Sequence, residues 1–310
     1  MVLSSGIFTA QTDLHLADLV LVNGAVLDTP IGQTLKLTVD DAVQVQTGTV
    51  VSVSGRGYAG GSSTHPSGYA LDLVTGSSFD AGGSHGGTGS TGNNPGLAGE
   101  VYDSVYQPIL GGGGGSKDQD SSASAGFAGG GTLVVEATEL VLEGAVLARG
   151  AEGGNTSNGP AGAGGSVLVR AGTVRGGGQI DASGGGSPQC NGGLVRGLGG
   201  GGRVALYVGA FDGFDLGLQV KAWGGIRSGC GSIQSYAAPG TVLVLTEGDV
   251  HGRLTVDQGL ASGPTVPTTS LTSIGSGIVG TVEPDPVDAA SSWIEPLDPN
   301  QVFGVGVVGM

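Results

Sequence analysis

Hydrophobic and polar residues alternate along the chain in short runs that recur at similar intervals. Runs of this kind begin at Thr34, Thr132, Ser166, Arg203 and Thr241, and the last four starts lie 34, 37 and 38 residues apart. Alternation with a period of two residues predicts β-strands, and no window shows the 3.6-residue period of an amphipathic helix. The pattern therefore predicts an all-β protein.

A second, shorter run follows each first run after a turn. It has a large apolar residue, any residue, a small apolar residue, any residue and then glycine, and it occurs at 51–55, 79–83, 146–150, 180–184 and 220–224. Glycine suits a point where the chain turns with positive φ or passes close to a neighbour. Since the interval from 79 to 146 is about twice the usual one, we predict that residues 84–131 form a long excursion from the repeats.

A fixed repeat made of strands and turns is typical of a solenoid, in which stacked repeats bury a shared apolar core. We predict a single-stranded parallel β-helix over residues 30–262. An N-terminal strand or cap at 1–29 precedes it, and a Pro-rich acidic segment at 263–310 follows and ends in a strand. A β-sandwich is the alternative, because it also contains many short strands.

Glycine makes up 67 of the 310 residues and is concentrated in runs such as Gly111–Gly115 and Gly199–Gly202. Hydrophobic residues are 38% of the chain and charged residues only 12%, which is not the composition of a disordered protein. We predict long glycine-rich loops, some of them polyglycine-II-like: extended segments packed side by side where only glycine permits close approach. Flexible loops are the alternative interpretation.

The formal charge of −15 argues against binding to nucleic acid, which requires a basic surface. No apolar run is long enough to cross a bilayer, so we predict no membrane insertion. The acidic surface is compatible with binding cations or neutral sugars.

Residues 161–172, 179–186 and 199–207 combine strands with glycine runs, as in Ala-Gly-Ala-Gly-Gly-Ser-Val-Leu-Val-Arg-Ala-Gly and Gln-Ile-Asp-Ala-Ser-Gly-Gly-Gly. This pattern resembles the glycine-rich, pectin-lyase-like parallel β-helix regions of large secreted and cell-surface proteins. The resemblance covers residues 30–260 and implies an extracellular structural, adhesive or polysaccharide-associated role. A more distant similarity is to the glycine-rich adhesins of phage fibre tips.

A pectin-hydrolase-like site needs paired acids together with Gly-His-Gly and Arg-x-Lys motifs. The chain has Asp40-Asp41 and Ser84-His85-Gly86 but no Arg-x-Lys. We therefore predict a non-enzymatic extracellular structural or adhesive module of a cell-surface or filamentous assembly. Its predicted partners are other chains of that assembly, further copies of itself, or polysaccharide. The alternatives are a polysaccharide lyase or hydrolase on a β-helix, and a phage-type receptor-binding adhesin.

Calcium is the one cofactor that the acidic residues suggest, because hard cations prefer oxygen ligands. The candidate ligands are Asp118, Asp120, Asp212 and Asp215. No other cofactor and no catalytic residue is predicted.

Cys190 and Cys230 fall at equivalent loop positions of consecutive repeats, so we predict a disulfide between them, as in proteins of oxidising compartments. Two buried free thiols are the alternative. Asn155 begins an Asn-Thr-Ser glycosylation sequon.

Five aromatic residues are candidate contacts for a sugar ring or a receptor: Tyr58, Tyr69, Tyr102, Tyr106 and Trp223. Aromatic side chains that merely cover the stack or its loops would give the same pattern.

Overall fold

A computed structural model describes residues 1–72, 74–92, 96–119, 124–153, 159–186, 196–227, 236–249, 251–259, 269, 279–284 and 292–296. Within these residues almost all regular structure is β-strand, and the only helix is the single turn α1 (Leu216–Gln219). The all-β prediction is confirmed.

Two sheets contain most of the described strands. The long sheet consists of β1 (Val2–Ser4), β3 (Leu14–Leu16), β4 (Leu19–Val22), β6 (Thr34–Val45), β8 (Thr132–Leu142), β10 (Ser166–Arg175), β12 (Arg203–Asp212), β14 (Thr241–Thr246) and β15 (Arg253–Thr255). The short sheet consists of β2 (Ile7–Thr9), β5 (Val26–Asp28), β7 (Val50–Ser52), β9 (Ala145–Leu147), β11 (Gln179–Asp181) and β13 (Val220–Lys221). A separate antiparallel pair joins β16 (Val279–Pro284) and β17 (Ser292–Pro296).

The strands pair in the register that the repeats predict. Ser166 lies opposite both Thr132 and Arg203, and Arg203 lies opposite Thr241. In the short sheet, Ile180 lies opposite Val146. These pairings are parallel, and from β6 to β13 successive strands belong alternately to the long and the short sheet.

The core lies between the two sheets, because alternate side chains of both point towards each other. Fully buried members of this one cluster include Leu21, Leu27, Leu37, Val51, Leu133, Val146, Val169, Ile180, Val204 and Leu206. Burying each such side chain contributes roughly 1.5–3 kcal/mol. The cluster is almost entirely aliphatic, which agrees with the low aromatic content of 5%.

The prediction that residues 79–83 form the second strand of a repeat is wrong. Phe79 is 49% exposed with a φ of +50°, and no strand is present there. Val51 lies opposite Val146 instead, so the connection between β7 and β8 extends over 53–131, and its described residues contain no strand. Ala81 is nevertheless fully buried, because a different type of packing requires small residues at this point.

Two further segments depart from the repeat pattern. Arg253–Thr255, in the repeat that begins at Thr241, turns back and pairs antiparallel with β14. Aspartate is a common turn former, but Asp40 and Asp41 lie inside β6 at an irregularity between Val39 and Ala42. A bulge places both aspartates at the surface without ending the strand.

Glycine-rich segments outside the strands hydrogen-bond to one another. Along 112–114, Gly112 N–H donates to the Gly130 carbonyl (2.8 Å), Gly113 to Ser84 (3.2 Å) and Gly114 to Tyr69 (2.9 Å). Three consecutive amides thus reach three different segments, whereas a β-strand has at most two neighbours in its sheet.

These segments approach so closely that a Cβ atom has no space. A Cβ on Gly199 would lie 1.8 Å from the Gly162 carbonyl oxygen, and one on Gly83 would lie 1.9 Å from that of Gly113. Glycine is therefore required by backbone contact at these positions.

Residues 102–110, hereafter the covering loop, lie on the outer face of the long sheet. Val105 packs there in a second buried cluster with Val134, Leu168, Ala205 and Leu243. This contact brings polar residues of the 53–131 connection to the beginnings of the long strands.

Candidate functional site

A buried polar network lies where the covering loop meets the long sheet. His85 Nε2 is 3.3 Å from Asp103 Oδ2, and His85 Nδ1 is 2.9 Å from the Gly164 carbonyl oxygen. The His85 and Asp103 side chains are 0% and 3% exposed.

Asp103 accepts hydrogen bonds from several elements. Ser166 Oγ, at the start of β10, lies 3.0 Å from Asp103 Oδ2, and the Leu110 and Ser104 N–H groups donate at 3.1 and 2.8 Å. Burial raises the pKa of Asp103, but the hydrogen bond and charge of His85 and the backbone donors outweigh it, so the pKa is lowered overall. Asp103 is therefore a carboxylate that holds the loop onto the strand.

His85, Asp103 and Ser166 do not form a catalytic triad. The two ring nitrogens of His85 lie beside the Gly164 carbonyl and the Asp103 carboxylate. Ser166 Oγ is within hydrogen-bonding distance of Asp103 and of the Leu110 carbonyl (2.7 Å). A triad requires a histidine nitrogen hydrogen-bonded to the serine hydroxyl, whereas this hydroxyl lies beside Asp103 and the Leu110 carbonyl.

Arg203 fixes the covering loop at the start of β12. Its Nε donates to the Tyr102 carbonyl and its Nη1 to Thr241 Oγ1, both at 3.0 Å. Burial lowers the pKa of Arg203 to about 10, so the guanidinium still carries its charge at neutral pH. The Tyr102 hydroxyl donates to the Gly111 carbonyl at 2.7 Å.

A separate buried group of charged side chains joins three segments of the chain through Arg196. Its guanidinium contacts Asp80 Oδ2 at 3.2 Å and Asp118 Oδ2 at 2.9 Å, and the Gln119 N–H donates to Asp80 Oδ1 at 2.8 Å. Asp80 has a φ of +63°, in the left-handed region. A calcium ion at Asp118 would have to replace Arg196.

Two other candidate calcium ligands, Asp212 and Asp215, are not brought together with Asp118. Asp212 and Asp215 are exposed near α1, and Asp215 Oδ1 accepts the N–H groups of Gly217 (2.9 Å) and Leu218 (3.3 Å). Asp120 lies outside the described residues. In the described part of the chain, no group of three or more His, Cys, Asp or Glu side chains could hold a metal ion. The calcium site stays a prediction.

The five candidate aromatic contacts differ in exposure. Tyr102 is buried, Tyr58, Tyr106 and Trp223 are half-buried, and Tyr69 is 43% exposed. The structure brings Tyr58 and Tyr102 together, with ring centroids 6.3 Å apart. Tyr69 stacks on His65 at 4.1 Å. Trp223 packs against the Lys221 ammonium at 5.0 Å.

Cys190, Cys230 and Asn155 lie outside the described residues, so the disulfide and the glycosylation site stay predictions. Two described segments near the cysteines in sequence are neighbours, because Gly225 N–H donates to the Gly199 carbonyl at 2.7 Å.

A shallow groove of about 420 Å³ lies at the turns between the two sheets. Its lining residues are 48–50, 143–145, 177–179, Leu218 and Gln219. The Gln219 side-chain amide donates to the Gly176 and Gly178 carbonyls at 3.1 and 2.6 Å. These contacts hold α1 against the turn.

The sequence does not predict that Asp103 is the partner of His85. Asp103 follows in a region without repeats, so no spacing connects the two residues. One usable signal was present, because the long strands begin with Thr34, Thr132, Ser166, Arg203 and Thr241, polar residues at one register position. Polar residues recurring at the start of buried strands indicate a partner outside the sheet.

No protein family, no curated protein and no solved structure matches this chain. Among the described residues, no helix combines the length and apolarity needed to cross a membrane.

Proposed function

We propose that this chain is a non-enzymatic, extracellular structural or adhesive module of a cell-surface or filamentous assembly. Its scaffold is a single-stranded parallel β-helix, with the glycine-rich segments packed beside it as a polyglycine-II-like bundle. The alternation of strands between two sheets in constant register supports the helix. The amides of 112–114, which reach three separate segments, support the bundle.

The proposal of a non-enzymatic role is supported mainly by the buried polar side chains, which form hydrogen bonds and ion pairs with other parts of the chain. His85 has both nitrogens engaged, and the carboxylates of Asp80 and Asp118 face Arg196. Groups that hold separate chain segments together are not available to transfer protons to a substrate.

Charged side chains on the surface of the long sheet also form ion pairs, here between neighbouring strands. Lys36 Nζ lies 3.4 Å from Glu136 Oε2, and Arg175 Nε lies 2.6 Å from Glu139 Oε1. Such exposed pairs contribute little energy, but each charge is offset locally by its partner. Cross-strand pairs of this kind suit a structural segment.

The extracellular location follows from the resemblance to secreted β-helix regions and from the predicted cystine. Surface labelling of cells that express the gene, with a membrane-impermeant reagent, tests it. We expect the chain to be labelled in intact cells, and labelling only after lysis would overturn the location.

The purified chain, incubated with uronate-containing and neutral polysaccharides, tests the absence of catalysis. We expect neither unsaturated products nor new reducing ends, with or without added calcium. Sustained turnover would replace this proposal with the polysaccharide-active alternative.

The exposure of Tyr69 favours polysaccharide as a binding partner, since an exposed aromatic ring can pack on a sugar face. Co-sedimentation with insoluble polysaccharides measures this binding. Tyr69→Ala should weaken it, while Phe79→Ala, a change at another exposed aromatic of the same connection, should not. Equal binding by wild type and both variants would remove Tyr69 from the adhesive surface.

A further inference from the structure

The turn between β4 and β5 has an asparagine followed by a glycine at its centre. Ala25 N–H donates to the Val22 carbonyl at 3.1 Å and closes this turn around Asn23 and Gly24. Their φ angles are +54° and +74°, and positive values at both central residues are typical of a type I′ turn. Asparagine and glycine tolerate these angles best, so the turn conformation explains why they occur here.

The same two residues are also accessible to a chemical reaction. Asn23 and Gly24 are both exposed. A Cβ atom at Gly24 would meet nothing within 4 Å apart from its chain neighbours. Of the described residues, none accepts a hydrogen bond from the Gly24 N–H. The main-chain nitrogen next to the Asn23 side chain is therefore not shielded by a side chain of its own residue.

We propose that Asn23 is a site of spontaneous deamidation in the folded chain. The Gly24 nitrogen attacks Cγ of Asn23, the bond from Cγ to the side-chain nitrogen breaks, and a five-membered succinimide ring forms. The proton of the Gly24 N–H passes through water to the departing nitrogen, which leaves as ammonia. Water then opens the ring at one of its two carbonyls. In total, one water molecule is consumed and the amide becomes a carboxylic acid.

The two products of ring opening affect the fold differently. Asn23 Nδ2 donates to Ser4 Oγ at 3.0 Å, which connects the turn to the end of β1. Aspartate keeps this contact, because the Ser4 hydroxyl can donate to the carboxylate instead. In isoaspartate the main chain runs through Cγ and is one carbon longer, so both the carboxylate and the turn are displaced. We therefore expect only isoaspartate to loosen the pairing of β1 with β4.

Two other Asn-Gly pairs, at 158–159 and 191–192, could give the same change in mass. Their asparagines lie outside the described residues. The mass of the intact chain therefore cannot assign the reaction, and the test has to follow the peptide that contains Asn23. Asn23→Gly is the control, since glycine adopts the positive φ of the turn and has no amide to lose.

Peptide mapping by mass spectrometry, after prolonged incubation of the folded chain at pH 7 and pH 9, measures the reaction. We expect the Asn23 peptide to show the mass gain of an amide that becomes an acid, in two chromatographically separate forms. The reaction should be severalfold faster at pH 9, because loss of the amide proton promotes the attack. The new carboxyl is ionised at neutral pH, so wild type should also acquire a form that binds more tightly to an anion exchanger. Asn23→Gly should lack the modified forms of this peptide.

Hydrogen exchange of the separated forms measures the effect on the fold. Amides at 2–4 and 20–22 should exchange faster in the isoaspartate form than in the fresh chain, because these residues pair with one another. Asn23→Asp is the matched variant, since it carries the added charge without the added carbon. It should exchange at the rate of the fresh chain.

An unmodified Asn23 peptide at both pH values would overturn the inference. So would a reaction that occurs only in urea-unfolded chain, or one whose rate does not change between pH 7 and pH 9. Equal exchange in the isoaspartate form and the fresh chain would overturn the predicted loosening of β1. The inference does not depend on the proposed function, and none of these outcomes affects the labelling or turnover assays.

Discussion

At the residue scale, glycine–glycine contacts determine where the backbone can pack. Gly199→Ala would place a methyl group 1.8 Å from the Gly162 carbonyl oxygen, and backbone on both sides must move to accommodate it. We expect a loss of about 3 kcal/mol in the free energy of unfolding, at the upper end of overpacking effects. Urea denaturation monitored by circular dichroism measures this loss.

Gly217→Ala is the control for that substitution. A Cβ at Gly217 meets only an ordinary contact, Asp215 Oδ1 at 3.5 Å, and the residue lies in the single turn of α1. We expect a change within about 1 kcal/mol of zero, since alanine lowers the entropy of the unfolded chain. Equal losses in both variants would contradict the close-packing account.

Asp103 gives the fold a specific acid sensitivity. Its pKa is lower in the folded state than the usual aspartate value of about 4, so its contribution to stability is complete above that pH. The contribution is lost as the pH falls below 4 towards the lowered value, because folding then requires release of a proton.

Asp103→Asn tests this dependence. Asparagine tolerates the positive φ of +72° at this position but removes the charge that faces His85. We expect a cost of about 3 kcal/mol at pH 7, because the buried donors that converge on Asp103 lose a charged acceptor. The difference from wild type, measured by urea unfolding from pH 7 to pH 3, should shrink below pH 4. A difference that stays constant with pH would show that Asp103 does not act through its charge.

At the scale of elements, the covering loop is attached to β10 through a serine. Ser166→Ala removes the hydroxyl that lies near both Asp103 and the Leu110 carbonyl. We expect amide hydrogen exchange at 103–110 to accelerate about fivefold, because one hydrogen bond contributes about 1 kcal/mol. Exchange in the core of β10 should not change.

Thr173→Ala is the matched change on the same strand, and it should leave exchange in the covering loop unaltered. Thr173 lies further along β10 and is only half-buried. Acceleration in both variants, or in neither, would contradict the attachment through Ser166.

The elements were predictable where local pattern and repeat agree. The long strands at Thr132, Ser166 and Arg203 pair as expected, because alternation fixes which face is buried and a register slip would expose it. The run at 79–83 shows where strand prediction from pattern fails. A small residue such as Ala81 fits the strand pattern, but it fits equally well beside close-packed glycine backbone. The pattern alone does not distinguish these two structures.

The candidate site was less predictable than the fold. Neither local pattern nor repeat connects His85 with Asp103 or Arg196 with Asp80, because these pairs depend on how the connection at 53–131 folds back. Contacts between distant, non-repeating segments leave no periodic trace in a single sequence. The recurring polar residues at strand starts identified only one side of the contact.

At the scale of the whole molecule, the connection at 53–131 and the strand-bearing repeats are interleaved. Gly83 N–H donates to the Ala161 carbonyl, Gly200 N–H donates to the Gly83 carbonyl, and Gly87 N–H donates to that of Gly201, all between 2.8 and 2.9 Å. The part of the connection at Gly83 thus lies between two segments that link the strands. Separating the two parts would break hydrogen bonds in buried backbone on both sides.

This arrangement predicts that the connection unfolds together with the sheets. Hydrogen exchange at 82–89 and 111–116 should have the same free energy of opening as the central amides of β8 and β10, because these amides become exposed only when the whole stack opens. The edge strand β2 serves as the internal reference and should exchange earlier. Mass spectrometry of peptides across a urea series measures all three regions at once. Exchange in the connection at low urea, while β8 and β10 remain protected, would show that the glycine-rich segments are an independent layer and that the sheets alone determine the stability of the molecule.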